Sequence, residues 1–416
     1  MVMWKYLGPG VLLAGAAIGG SHLVTSTQAG ANYGWSLLGI LLLINLFKYP
    51  FFLFAHRYTS ATGESLLQGY MRLGRPYLIL YFIMSLFTGI VNIAGVSMIT
   101  GSLATNFGFS NISIPILSGV IMLICILVIV VGGYPLLKSF GKTIVLVLGV
   151  STLIAMVISL VNGPVAPDGF EGDSPWTIAS FGFVIMFMGW MPAPIEVSVW
   201  PSLWMITQEQ LQKRTIKMRE AMIDFHAGYG ASVFLALVFL VLGKMIIYGS
   251  GTVLSSQGSV FAGQLIDLYA ATIGLWAAPI IIVAAFSAML STSLTTIDAY
   301  PRSFASAMAL LFNPLPNNYK LLHHILLVVS GLLGFLIISS YVDRLGDMLS
   351  LAMILSFLAA PVYAWLNYRV MFGENVDDIY KPAGWLRLLS LGGIVFLAGF
   401  GLVFLFWYFF LSPSVS

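Results

Sequence analysis

Charge is what this sequence has least of. Only 8% of its residues are Asp, Glu, Lys or Arg, against about 25% in soluble domains. No charged residue occurs between Lys5 and Lys48, and none between Arg75 and Lys138. Such gaps exclude a water-solvated globular chain, and each is long enough for one or two membrane crossings of about 20 residues. Cysteine is nearly absent: Cys125, inside an apolar run, is the only one. That excludes a disulfide framework and a multi-cysteine metal site. Alternation of polar and apolar residues is also missing, which excludes a membrane barrel and leaves helices as the spanning form. There is no phosphate-binding loop, zinc-protease helix or nucleophile elbow, so no enzyme and no cofactor are expected.

What is present is hydrophobic: 59% of the residues, with a mean hydropathy of +0.97. The start has one Lys ahead of an apolar core, as a signal peptide does. Many further spans follow, so it reads as an uncleaved first helix. Eleven apolar segments stand between charges and turn residues: Leu7–Gly30, Trp35–Ala55, Tyr77–Leu103, Ile114–Val131, Thr143–Val161, Trp176–Trp204, Gly228–Ile247, Leu275–Leu294 (continuing to Leu311), Leu321–Ile338, Leu349–Trp365 and Leu386–Leu411. With the N-terminus cytoplasmic, every Lys and Arg except Lys244 and Arg344 falls on the inner side, Lys48 among them. A wrong helix count would scramble this bias. The expectation is a multi-pass protein of the cell (inner) membrane with an external C-terminus. The basic run KRTIKMRE is then an inner loop facing lipid headgroups. Membrane lipid and a small ion or solute are the expected partners, not nucleic acid, and the oligomeric state is left open.

Two segments are interrupted near mid-span. The first contains Gly19-Gly20-Ser21-His22, and glycine costs about 1 kcal/mol against Ala inside a helix. The sixth contains Met191-Pro192-Ala193-Pro194, whose prolines lack an N–H and clash with the preceding turn. These segments open two groups of five, so the breaks occupy corresponding positions, a pointer to a transport site built by inverted repeats. The repeats are placed at about 1–161 and 176–371, with the segment at about 386–411 added. A plainer reading of either break is helix packing through small residues or a simple kink.

Around the breaks stand the candidate binding residues. Glu196 lies in the first turn after Pro194, where a helix dipole favours negative charge. It is read as a cation or proton site, or as a carboxylate bonded to unwound backbone. His22 is a metal ligand, a proton carrier or a satisfied buried imidazole. Met191, and Met188 one turn earlier, offer soft thioethers or mere packing. Ala16, Gly19, Gly20 and Ser21 contribute backbone exposed by unwinding. Asp298 and Arg302, four apart on one helix face, form a gate or proton path, or an ordinary ion pair. Asp224 and His226 open the seventh segment as interfacial residues.

At these residues the chain resembles the natural resistance-associated macrophage protein (Nramp) family. The likeness is closest in GPGVLLAGAAIGGSHLVTSTQAGANYGWSLLGILLLIN and extends along the chain in helix count and break positions. The resemblance implies an all-α LeuT-type fold and proton-coupled transport of divalent metal. Its helix-1 motif Asp-Pro-Gly-Asn is matched here by Gly19, Gly20, Ser21 and His22, and its helix-6 motif Met-Pro-His-Asn by Met191, Pro192, Ala193 and Pro194. Of the family's metal ligands only the Met is kept. The acids of helix 3 and the Gln of helix 10 have no counterparts. The expectation is an alternating-access transporter of a divalent metal cation, held by His22, Met191 and Glu196 and not by the usual manganese or iron site. The alternative is a carrier of a small organic solute such as an amino acid or amine, whose carboxylate would sit at the half-helix N-terminus. A non-transporting membrane sensor is the third reading.

Overall fold

The structure is a computed structural model that describes residues 7–252, 254, 255, 263, 264, 266, 267, 269, 270, 274–312, 319–341 and 344–411; Lys5 lies outside them. In hydrocarbon the backbone must satisfy its own hydrogen bonds, and among the described residues every regular element is helical. The first crossing is α1 (Pro9–Ala17) and α2 (Thr27–Tyr33), joined through a wide turn at Ser21–Ser26. Then come α3 (Leu38–Thr62), a short α4 (Leu66–Leu73), α5 (Arg75–Ala104) and α6 (Ile114–Asn162). The second half runs α7 (Phe181–Trp190), α8 (Val199–Gln212), α9 (Met218–Ile246), α10 (Ala278–Phe312), α11 (Tyr319–Ser340), α12 (Leu345–Met371) and α13 (Gly384–Phe410).

At 49 residues, α6 would be about 70 Å long if straight, more than twice the hydrocarbon thickness of about 30 Å. It turns at Gly133, where φ is +55° and ψ −158°, a conformation open to glycine and costly to other residues. Phe107, shortly before α6, packs on Phe286. The neighbouring Ala284 and Ala285 line a cavity with Thr152 and Ala155 near the far end of α6. Both ends of α6 therefore lie on one side, and the helix is two crossings. Nine described helices are long and apolar enough to span a membrane. With α6 counted twice and the bent α1–α2 pair once, the described residues make the eleven crossings expected from the sequence. The chain is a multi-pass membrane protein.

Burial sorts the helices. In the α7–α8 span 78% of the apolar window is inside the protein, in α13 only 28%. The interrupted helix is central and α13 is peripheral, facing lipid with Phe409 and Phe410. The α1 half-helix lies against α9 at Gly10 and Gly228. A Cβ added to Gly228 would stand 3.1 Å from Gly10 Cα and closer still to its carbonyl. Such small residues let membrane helices approach backbone to backbone.

Candidate functional site

Both interruptions are real breaks. The first crossing bends by 47°, the α1 helix ending at Ala17 and the next turn starting at Ser21. In the second, α7 stops at Trp190 and the chain resumes only at the short turn Ile195–Ser198 that leads into α8. The two breaks face each other across one cavity of about 40 Å³, room for a few waters. Ala16, Ala17, Gly20 and Ser21 form one wall and Trp190, Pro192, Ala193 and Pro194 another. Asn92 from α5 and Thr292, Thr296 and Tyr300 from α10 complete the polar lining. Gly19 packs on Thr292, and Gly20 on the Trp190 ring.

Glu196 is fully buried just behind this cavity. Its Oε1 accepts from Tyr300 Oη at 2.7 Å and from Asn92 Nδ2 at 3.2 Å. Asn92 Nδ2 also lies 3.2 Å from Ser356 Oγ, and Asn92 Oδ1 accepts from Trp190 Nε1 at 3.0 Å. The carboxylate thus reaches the cavity through two residues that line it. His22 is turned elsewhere: Nε2 lies 2.8 Å from the Ser232 carbonyl on α9, and Nδ1 is 2.6 Å from Ser21 Oγ. A carbonyl only accepts, so Nε2 carries the proton, and both ring nitrogens are engaged. Met188 and Met191 are buried at the end of α7, and neither lines the cavity.

The C-terminal carbonyls of α7 have no partners within the helix. They are taken by Lys48, whose Nζ donates to Met188 O at 2.7 Å, Gly189 O at 2.9 Å and Ala193 O at 3.1 Å. Lys48 is fully buried and holds the break from outside the cavity lining. Burying such a charge costs several kcal/mol. Three charge-assisted hydrogen bonds return about 1.5–3 kcal/mol each. Read from the sequence, Lys48 is an inner-side orientation charge; the structure corrects that, placing it inside the protein at the depth of the break. Its position within the segment Trp35–Ala55 itself was the available signal. Asn92 and Tyr300 carried no signal in the sequence, being single polar residues in long apolar helices.

Asp298 and Arg302 are apart from this cavity. The guanidinium donates twice to the carboxylate, at 2.9 and 2.6 Å, and Trp204 Nε1 donates to the same group at 3.2 Å. Asp224 is not interfacial but buried. Its two oxygens accept from Gly8 N at 2.8 Å and Gly10 N at 2.7 Å, pinning the start of α1 to α9. Among the described residues no three His, Cys, Asp or Glu side chains are grouped to hold a metal ion.

Comparison with known proteins bears on this arrangement. An uncharacterized protein of Pasteurella multocida is 39% identical over 403 residues, 96% of this chain and 91% of that one. A mutant of the Eremococcus coleocola manganese transporter superposes with a TM-score of 0.71 at 15% identity, covering 99% of this chain and 90% of its own. MhsT, solved in complex with L-phenylalanine, superposes with a TM-score of 0.68 at 14% identity, over 96% and 98% of the two chains. The two structures establish the LeuT-type fold. The model of the family described as natural resistance-associated macrophage protein-like matches residues 10–407, so the chain belongs to the Nramp family.

Proposed function

We propose that this protein is a secondary active transporter working by alternating access, and that its cargo is a divalent metal cation passing through the cavity between the two breaks. The observation that carries the transport reading is that both interruptions open on one shared, partly polar cavity. Half-helices meeting at mid-bilayer are how such folds build a site that two repeats can expose in turn. The repeats are residues of about 1–161 and 176–371, with α13 outside them, in an inner membrane with the N-terminus cytoplasmic. Membership of the Nramp family and likeness to a manganese transporter support the metal cargo. The donors would be few: Ala16 in the cavity wall, Glu196 behind Tyr300 and Asn92, and Met191 and His22 only after rearrangement, since both His22 ring nitrogens are engaged. Glu196 would reach the ion by parting from Tyr300 or Asn92.

A second reading, a small organic solute, is favoured by the lining itself. Hydroxyls, an amide and indole rings face the cavity, and no carboxylate, imidazole or thioether does. Such groups suit a hydrogen-bonding solute better than a doubly charged ion, which needs compensating charge. The two readings part in one screen of the purified protein by thermal stabilisation, with manganese and magnesium against amino acids and amines. The metal reading expects saturable stabilisation by a divalent cation, and calorimetry in which Glu196→Gln abolishes that binding. Unchanged metal affinity in the variant would remove Glu196 from the ligand set. Stabilisation by an amino acid or amine, with none by metals, would establish the solute reading instead.

A further inference from the structure

Lys48 has no part in lining the cavity, yet all three of its hydrogen bonds go to backbone carbonyls at the second break. Its nitrogen sits among three carbonyl oxygens, those of Met188, Gly189 and Ala193, at 2.7–3.1 Å. A neutral amine could donate only two of these bonds; three donors require the ammonium form. The acceptors are the negative end of the α7 half-helix and a carbonyl freed by the break. That combination of half-helix C-terminus and unwound carbonyls is what coordinates a free coupling ion in transporters with broken helices. Here the positive charge arrives on α3, fully buried.

We infer that the Lys48 ammonium is a tethered cation filling the ion position of the second break, so that sodium, potassium or another free cation has no site there. A mobile cation could not share the three oxygens with a like charge at contact distance. Because the charge is bonded to α3, it cannot leave with the cargo. This break therefore stays organised through every state without taking up an ion, and any coupling ion must act elsewhere. The inference does not depend on what the cavity carries.

The test reads cation dependence of stability, separate from transport. Unfolding of the purified protein is followed in sodium, ammonium, methylammonium and N-methyl-D-glucamine chlorides at equal ionic strength. A cation or amine bound elsewhere would act on wild type and variant alike, so the wild-type midpoints in the four salts are the baseline. Lys48→Ala, extracted in methylammonium chloride, is expected to lose about 5 °C in N-methyl-D-glucamine. It should regain half or more of that, saturably, with one of the three small cations. Lys48→Met, whose side chain fills the space without a charge, should show the loss and no recovery. A cation response in Lys48→Ala no larger than that of the wild type would overturn the inference. So would a Lys48→Ala protein that loses nothing, or whose loss no small cation repairs. Should the alanine protein not survive extraction, Lys48→Ser, read against the wild type in the same four salts, decides in its place.

Discussion

Asn92 shows how much one side chain carries where water is excluded. Its Oδ1 is the acceptor for Trp190 Nε1, and its amide nitrogen faces Glu196, Tyr300 and Ser356. Asn92→Ala would leave the indole N–H without its partner, at a cost of about 1–3 kcal/mol for a buried donor. Thermal unfolding should register that loss, and an unchanged midpoint would show that the network is not a unit. The Asp298–Arg302 pair is likewise buried, its side chains 2% and 12% exposed. Removing Arg302 leaves an uncompensated carboxylate, so Arg302→Ala should cost about 3–5 kcal/mol. The pair Arg72–Glu64, with Arg72 more than half exposed, is the contrast: Arg72→Ala is expected to leave the midpoint where it was. Equal losses for the two variants would contradict the burial argument.

At the scale of elements, the α1 half-helix is buried along almost its whole length and fastened at its start by one side chain. Its first N–H groups are bonded to Asp224, 216 and 214 residues away in sequence, and its backbone rests on α9 through Gly10 and Gly228. Asp224→Ala removes two hydrogen bonds to a charged group, each about 1.5–3 kcal/mol. Amide hydrogen exchange across residues 9–17 should then quicken at least tenfold, since about 1.4 kcal/mol is a factor of ten in a local opening equilibrium. Exchange that stays as slow as in the wild type would mean that the glycine contact alone holds the half-helix. The two breaks were readable in advance because Gly19-Gly20 and Pro192-Ala193-Pro194 act on their own backbone. The fastenings were not. Asp224 reads as an interfacial acid and Lys48 as an orientation charge until the chain folds and brings Gly8 and Met188 to them.

For the whole molecule, charge scarcity and the one-sided Lys and Arg pattern led to eleven crossings, and the described helices make eleven once α6 is seen to turn at Gly133. That turn was legible as a pair of charges, Lys138 and Lys142, between two apolar runs. The cavity was legible only in part. Gly20 and Ser21 were expected beside it, whereas His22 turns to Ser232 because an imidazole can satisfy both nitrogens there. Thr292, Thr296 and Tyr300 were hidden in a helix whose sequence marks no one face for function. Alternating access requires that this cavity open to each side of the membrane in turn. Ser21 lines it and the lone Cys125 is buried, so a Ser21→Cys, Cys125→Ser protein reports on it without background. The direct measurement is the reaction rate of that thiol with a membrane-impermeant reagent applied from either face of proteoliposomes. Reaction from both faces is expected, slowed saturably by the cargo that the screen identifies; a thiol reached from neither face, or from one alone, would contradict alternating access through this cavity.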